Sequence, residues 1–265
     1  MKLTTTVALL KSAFADDDNN FAVERSVAIE NIERTVCWVE KKSGGNASVP
    51  LAHVASMEGV VFALWALRAA EQQADACRIG RLLAIDMATE ALALLKEVCP
   101  DLAVYERHLA RIRETVLAGG DLQCYRDLVR LLSSIEEGGS SDLDDLESDV
   151  RWAFASSVRY AFSGGGDYID PEGDWPLGGL WSAYDAFDTL RYLMQFTDPR
   201  YITARRIASL AYAAEKRWQR GTRLDFCFTG EIQGVIDDLE SELDLYCMNR
   251  AVAITAPLWK LHIDG

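Results

Sequence analysis

The sequence predicts an all-α protein, a multi-helix bundle made of two similar halves. Apolar residues recur at helical spacing through most of the 265-residue chain, and glycine and proline residues separate these stretches. Short segments of the first half also recur, in the same order, in the second half. The chain is 49% hydrophobic and 26% charged, a globular composition with enough apolar residues for a large core.

The first half is predicted to hold a run of helices that begins with a short one near residue 1. Thr4–Thr6 and Lys11 weaken the early apolar segment, so it is interpreted as a helix rather than a signal peptide. Glu58 lies inside the apolar stripe of a helix that Pro50 opens, where an acid either snorkels or pairs with an arginine. The other helices are predicted over about residues 21–42, 75–98, 102–117 and 121–135.

The helical pattern starts again after a polar linker at residues 136–141. This linker predicts a boundary between residues 1–138 and 139–265, which form either two units or one compact domain. Helices are predicted over about residues 142–162 and 177–196, from Asp198 to Gly221, and over about 230–255, with Pro257 closing the pattern. The apolar stripe of the third of these consists of Ile207, Leu210, Ala214 and Trp218.

Four pairs of segments match between the halves, at offsets of 120 to 126 residues. They are Ser43–Gly45 with Ser163–Gly165, Val49–Leu51 with Trp175–Leu177, Arg81–Ala84 with Arg205–Ala208, and Asp121–Cys124 with Asp244–Cys247. Their common order favours a tandem duplication, although alanine- and leucine-rich hairpins of similar length also align by chance. The largest offset falls in the second-half loop, which is six residues longer than its first-half counterpart.

That loop, Ser163–Gly179, is the first candidate for a functional surface. It interrupts the helices with glycines, two prolines, four acids and two aromatic residues. Aromatic anchors beside charged groups are typical of protein interfaces, so the loop is predicted to bind a partner. The alternative is a compact loop whose tryptophan packs onto the helices. The predicted partner-binding residues of the loop are Asp167, Tyr168, Asp170, Glu172, Asp174 and Trp175.

Two acidic runs, at residues 142–149 and 237–244, are further candidates. Acids at i and i+4 share a helix face, as Asp238 and Glu242 do in the second run. We interpret the first run as helix capping and the second as a solvated face or partner surface, to which Asp237 also belongs. The alternative is a metal-dependent helical enzyme that uses Asp144, Asp145 and Glu147 or Asp237, Asp238 and Glu240. No metal or cofactor site is predicted, because a basic cluster for a diphosphate and a phosphate loop are both missing from the sequence.

The net charge of −14 opposes binding to nucleic acid or anionic membranes. It favours encounter with a basic partner, or serves solubility alone. The six cysteines form no CxxC pair and lie in apolar helical segments, which predicts reduced core cysteines in a reducing compartment. No apolar run approaches the roughly 18 residues that would span a bilayer, so a cytoplasmic protein is expected.

The second half resembles the all-helical immunity proteins found beside bacterial polymorphic and secreted toxins. The resemblance rests on a tryptophan helix (Arg151–Ala153), an acidic Pro/Asp loop (Asp170–Asp174) and two alanine-rich helices (Ser182–Arg191, Ala204–Lys216). It implies a cytoplasmic protein that binds and blocks one cognate toxin. An acidic inhibitor of this kind suits a basic toxin domain. A helical adaptor or scaffold is a further alternative, which differs in its partner.

Overall fold

The computed structural model describes residues 2–15, 33–41, 48–119, 146–163, 175–219 and 228–264. Within these ranges nearly all of the backbone is helical, which confirms the all-α prediction. The helices are α1 (Val7–Ala15), α2 (33–41), α3 (Leu51–Glu58), α4 (Val60–Ala66), α5 (Gln73–Leu95), α6 (Tyr105–Ala118), α7 (Leu146–Ser163), α8 (Trp175–Met194), α9 (Pro199–Gln219) and α10 (Phe228–Trp259). Short 3-10 turns lie at Leu67–Ala69, Pro100–Val104 and Gln195–Thr197, and a π-helical turn covers Lys260–Asp264.

Several predicted features fall outside the described residues. They are most of the helix at 21–42, the helix at 121–135, the linker at 136–141 and the greater part of the acidic loop. The tandem relationship of the halves and the boundary at residue 138 therefore stay predictions.

Helix α5 lies at the centre of the fold. It is buried on almost every side because its positions are mostly small or apolar, from Ala76 to Leu95. Helix α8 packs along α5 more extensively than any other pair of described elements, and α7 packs on α8. Buried apolar residues from Leu3 to Ile263 form one contiguous core. No helix in the described ranges is both long and apolar enough to cross a membrane.

Two very short strands, β1 (Thr4–Thr5) and β2 (Val49–Pro50), pair antiparallel and were not predicted. The backbone N–H of Leu51 donates to the carbonyl of Leu3 at 2.9 Å, just beyond the pair. The Thr5 hydroxyl donates to the buried carbonyl of Ala69 at 2.6 Å. A strand of two residues is too short to show an alternation of apolar and polar residues. The spacing of apolar residues in this region therefore predicts only the helix that follows β1.

The single helix predicted after Pro50 is divided at Gly59 into α3 and α4. Gly59 has φ of 88°, a conformation that glycine adopts without the penalty of a Cβ. Glu58, just before the break, pairs with Arg34 of α2 and its side chain is only 3% exposed. The hydrogen bond from Arg34 holds the pKa of Glu58 below its ordinary value, against the opposing effect of burial. Pairing with an arginine is one of the alternatives that the sequence analysis left open for Glu58, and it is the one the structure shows.

Pro257 does not close the last helix, which corrects the predicted end near residue 255. Helix α10 contains Pro257, runs to Trp259 and continues as the π-helical turn. A proline past the first turn of a helix removes one backbone hydrogen bond and its ring crowds the preceding turn, which costs about 3 kcal/mol. The buried side chains of Trp259 and Ile263 pack this segment onto the core, so burial extends the helix past the proline.

The cysteine prediction is correct for Cys77, Cys99 and Cys247, which are buried free thiols. It is wrong for Cys37, which is exposed on α2. The buried side of α2 carries Val36 and Val39. Cys37 follows Val36 directly, and successive residues of a helix point in different directions, so its side chain lies away from the core.

Candidate partner-binding surface

Most of the predicted partner-binding residues belong to the second-half loop. Five of them lie outside the described residues: Asp167, Tyr168, Asp170, Glu172 and Asp174. Trp175 begins α8, and its side chain is also outside the described part of the chain. The remaining three, Asp237, Asp238 and Glu242, are exposed on α10. The site can therefore be built from α10 and the helix that packs against it.

Helix α10 has an inner side that faces the core and an outer side that faces solvent. The inner side carries the buried residues Ile236, Leu243, Cys247 and Ala251. The opposite side carries Val235, Asp238, Glu242 and Leu245 at spacings of three and four residues, and we call these four residues the α10 outer face. Val235 is 55% exposed and Leu245 is 70% exposed. Two acids and two large apolar side chains thus share one solvent-facing stripe.

Three further acids of α10 have partners within the chain, and Glu242 itself lies 3.8 Å from Arg200 of α9. Asp237 accepts a hydrogen bond from Gln233 at 2.8 Å, and Asp244 pairs with Arg191 of α8 at 3.3 Å. Glu240 accepts a hydrogen bond from the Tyr201 hydroxyl at 2.8 Å. The acidic run is therefore divided around the helix. Among the described residues, no group of three or more His, Cys, Asp or Glu side chains is placed to hold a metal ion.

The contact between Tyr201 and Glu240 joins α9 to α10 inside the molecule. Tyr201 is almost fully buried, and its ring meets that of Phe196 edge to face at 5.5 Å between centroids. Burial and the hydrogen bond to Glu240 both raise the pKa of Tyr201 far above its ordinary value, so it stays a neutral donor. This contact lies on the inner side of α10, so Asp238 and Glu242 lie on the side that faces solvent.

Helix α9 presents its predicted apolar stripe to solvent rather than to the core. Ile207 is 52% exposed and Leu210 is 72% exposed, whereas Tyr201 and Ala208 are buried. Apolar residues lie on both sides of this helix, so helical spacing could not decide which side is inside. We call the exposed residues Thr203, Ile207, Leu210 and Ala214 the α9 outer face; the side chain of Trp218 lies outside the described residues.

The two outer faces belong to helices of opposite charge. Helix α9 is basic, with Arg200, Arg205, Arg206, Lys216 and Arg217 against Glu215 alone. Helix α10 is acidic, with Arg250 as its only base. Arg200 approaches Glu242 at 3.8 Å, and half-buried Arg205 has its pKa lowered by burial despite the attraction of Glu240. The sequence analysis identified the acidic run of α10 but not the basic composition of α9, because only the negative net charge of the whole chain was considered.

A buried polar cluster joins the π-helical turn to α5 and α6. Asp86 of α5 lies 2.7 Å from His262 Nε2 and accepts a second hydrogen bond from Arg113 Nε at 2.7 Å. Burial alone would raise the pKa of Asp86, but the hydrogen bonds from His262 and Arg113 outweigh it and hold the pKa below its ordinary value. Local sequence patterns could not predict this cluster, because Asp86, Arg113 and His262 are far apart along the chain.

A second cluster joins the turn before α6 to α7. The Cys99 thiol donates to Asp101 at 2.8 Å, and Arg151 donates to the other oxygen of Asp101 at 2.8 Å. Burial and the neighbouring Asp101 carboxylate raise the pKa of Cys99 to about 12. A thiol with so high a pKa forms almost no thiolate at neutral pH and is a poor nucleophile. The cluster is therefore a structural contact between elements.

Comparison of the chain with protein-family models, with curated proteins and with solved structures finds no match.

Proposed function

We propose that the protein binds a cognate protein partner and blocks it, as an immunity protein binds its toxin. The observation that carries the proposal is the α10 outer face. Asp238 and Glu242 lie there between Val235 and Leu245, so charge and apolar area are exposed on the same stripe. Protein interfaces combine a desolvated apolar centre with polar contacts around it, which is the combination this face offers.

The partner expected for this face is basic. The chain has a net charge of −14, which accelerates encounter with a positively charged surface and repels nucleic acid. Asp237 and the loop acids Asp170, Glu172 and Asp174 are further acids that the sequence predicts for partner binding. A basic catalytic domain of a toxin has both the charge and the exposed active site that such an inhibitor would cover.

The test is a binding measurement with the product of the gene that lies next to the one encoding this chain. Charge reversal of the α10 outer face, Asp238→Lys with Glu242→Lys, should weaken the complex by about tenfold or more, because like charges would then meet at the contact. Isothermal titration with the purified proteins measures the change. If the neighbour is a toxin, the same variant should also fail to protect cells that express it.

A matched control separates the local effect from the change in net charge. Glu90 on α5 and Glu114 on α6 are exposed acids outside α9 and α10. The double variant Glu90→Lys with Glu114→Lys alters the net charge by the same amount and should leave affinity within about twofold at physiological salt, because exposed charges further away than the Debye length are screened. Equal losses in both double variants would remove the α10 outer face from the interface.

An adaptor that joins two proteins without blocking either is a second candidate for the same surface. The adaptor would bind through the same surface as the inhibitor, but the activity of the partner would persist in the complex. A partner whose activity persists in the complex would favour the adaptor, and a partner whose activity is lost would favour the inhibitor.

We also infer a cytoplasmic location and a tandem origin of the two halves. Support for the location comes from the free thiols of the described cysteines, since disulfides are rare in reducing compartments. Support for the tandem origin comes from the four matched segments and from the order of helices, with α5 following α4 as α9 follows α8. An experimental structure that superposes residues 51–95 on 175–219 would test this origin.

A further inference from the structure

Two large apolar side chains, Leu245 and Tyr246, follow the acids of α10 on its solvent side. Leu245 is 70% exposed and Tyr246 is 49% exposed. Tyr246 comes one helical turn after Glu242, so it continues the same side of the helix. Asn249 and Ala253 are exposed beyond it and carry no charge. The solvent side of α10 therefore changes from acidic to uncharged along residues 238–253.

The ring of Tyr246 is held in place although it faces solvent. The guanidinium carbon of Arg250 lies over this ring, 5.5 Å from its centroid. Arg250 Nη1 also donates to the Thr197 hydroxyl at 2.9 Å, in the turn between α8 and α9. That hydroxyl in turn donates to the carbonyl of Met194 at 2.7 Å. A chain of contacts thus runs from the end of α8 through Arg250 to the ring.

An exposed aromatic ring that is already ordered is well suited to binding. Association costs less free energy when a side chain does not have to be immobilised in the complex. Tyrosine offers a large rigid contact area with few rotatable bonds, and it is enriched among the residues that dominate interface energies. Tyr246 therefore has the properties of an anchor residue, on the same helix side as the candidate acids.

The charges around Tyr246 indicate the composition of the surface that it meets. Arg200 lies close to Tyr246. Its charge is offset by Asp198 at 3.2 Å and by Glu242 at 3.8 Å. Asp238 forms no ion pair with any described residue, and it precedes Tyr246 by a helix length of about 12 Å. An apolar cleft for Tyr246, with a basic group about 12 Å from it, would match this arrangement.

We propose that Tyr246, together with Leu245, is the anchor that enters an apolar cleft of the partner, and that Arg250 positions the Tyr246 ring. This inference rests on the proposed function, because it names the part of the α10 surface that holds the partner. The partner is a basic protein in which the apolar cleft and the group that pairs with Asp238 lie on one surface. The acids then govern how fast the complex forms, and the anchor governs how long it lasts.

Surface plasmon resonance with the immobilised product of the neighbouring gene, at low and at physiological salt, is the experiment. Tyr246→Ala should raise the dissociation rate about thirtyfold and leave the association rate within about twofold, because the anchor acts after the two surfaces have met. Asp238→Asn should lower the association rate about threefold at low salt and less at physiological salt, because added salt screens the attraction.

Trp152→Ala is the matched control for the loss of an exposed aromatic ring. Trp152 is 50% exposed on α7, outside α9 and α10. Its truncation should leave both rates within about twofold, because residues outside the central contact contribute little to affinity. Tyr246 and Trp152 are both exposed, so neither truncation removes a core contact, and circular dichroism checks that both variants are folded.

A double-mutant cycle tests the positioning role of Arg250. Arg250→Ala should weaken the complex about fivefold, because the Tyr246 ring then has to be ordered on binding. In a chain that already carries Tyr246→Ala, the same change should have little further effect. A merely structural role of Arg250 would lower affinity equally in both backgrounds, and that result would overturn the positioning role.

The measurements separate this inference from the function on which it rests. A wild-type chain that does not bind the neighbouring product overturns the proposed function and this inference with it. Binding that is insensitive to Tyr246→Ala, or a loss that lies in the association rate, overturns this inference alone. A second copy of the chain is the alternative occupant: a wild-type dimer that Tyr246→Ala dissociates, seen by sedimentation equilibrium, would assign the surface to that copy and overturn the proposal.

Discussion

Asp86 is the clearest case in which a single side chain joins distant parts of the chain. Its two carboxylate oxygens accept from His262 and from Arg113, and only 11% of its side chain is exposed. A carboxylate this buried is tolerated when hydrogen bonds and opposite charge replace its hydration. Removing the charge should therefore destabilise the fold much more than removing a surface acid does.

We expect Asp86→Asn to lower the free energy of unfolding by about 3 kcal/mol at neutral pH, because it leaves His262 and Arg113 without the charge that they pair with. The folded-state pKa of Asp86 lies below its ordinary value, so the stabilisation is present above about pH 4 and is lost as the pH falls through the folded-state pKa. The difference between wild type and variant should therefore shrink in acid. Urea unfolding at a series of pH values measures it.

The control for this prediction is Glu90→Gln on the same helix. Glu90 is exposed, so the change should alter stability by less than about 0.5 kcal/mol at any pH. A difference between wild type and Asp86→Asn that stays constant down to strongly acidic pH would show that the ionised carboxylate is not the stabilising species.

At the residue scale, the contact of a charged side chain was predictable only where the local sequence indicated which kind of residue it would pair with. Glu58 interrupts an apolar stripe, which left snorkelling or pairing with an arginine as alternatives, and the structure shows the pair with Arg34. The contact of His262 with Asp86 spans 176 positions, and local pattern contains no information about it. Asp238 and Glu242 were placed on one helix face from their spacing, and both side chains are exposed in the structure.

At the scale of elements, the packing of α9 against α10 determines which side of each helix is exposed to solvent. The hydrogen bond from Tyr201 to Glu240 joins the two helices in the interior of this α9–α10 hairpin. Its loss should loosen the register between the helices without emptying space in the core, because phenylalanine retains the ring.

Tyr201→Phe should therefore lower the free energy of unfolding by about 1.5–3 kcal/mol, the usual worth of a hydrogen bond to a charged group. Amide hydrogen exchange should accelerate in α9 and α10 and stay unchanged in α5. Tyr246→Phe is the matched control, because Tyr246 is about half-exposed and its hydroxyl can be solvated. Equal effects of the two variants would contradict the structural role of the Tyr201 hydroxyl.

Element positions were largely predictable, whereas element orientation was not. Helices α5 to α9 begin and end within a few residues of the bounds that periodicity and proline or glycine positions predicted. The Ile207 stripe was placed correctly along the chain, but its direction depends on which side of α9 packs on α10. Two further errors, the π-helical turn after Pro257 and the strands at Thr4–Thr5 and Val49–Pro50, arise where tertiary contacts override local preference.

At the scale of the whole molecule, the principal contact joins the two predicted halves. Helix α5 belongs to the first half and α8 to the second, and they form the most extensive packing in the described chain. The buried residues of both halves belong to one core. Separation at the predicted boundary would expose the long apolar surface of α5.

Residues 1–138 and 139–265, produced separately, should therefore bind a hydrophobic dye and unfold without a sharp transition. The intact chain should unfold in one cooperative transition, because the core is shared. Calorimetry and near-ultraviolet circular dichroism check both statements. Two separate transitions in the intact chain, or a native-like spectrum from either half alone, would contradict the shared core and favour two independent units.

The fold class followed from composition and period, since a chain with helical spacing throughout has few other ways to bury its apolar residues. The arrangement of helices did not follow, because the choice of α8 as the neighbour of α5 depends on contacts between residues about 100 positions apart. The candidate surface was predictable as an acidic segment, and its apolar component became visible only from the orientation of Val235 and Leu245.

The contact between Asp86 and His262 also has a consequence for synthesis. The two residues are 176 positions apart, so at about 5–20 residues per second the ribosome needs roughly 9 to 35 s to add His262 after Asp86. Arg113 follows Asp86 by only 27 positions and reaches it within a few seconds. During the remaining interval the nascent chain carries a carboxylate with one of its two partners. The last bond to this carboxylate thus forms after the intervening helices have been translated.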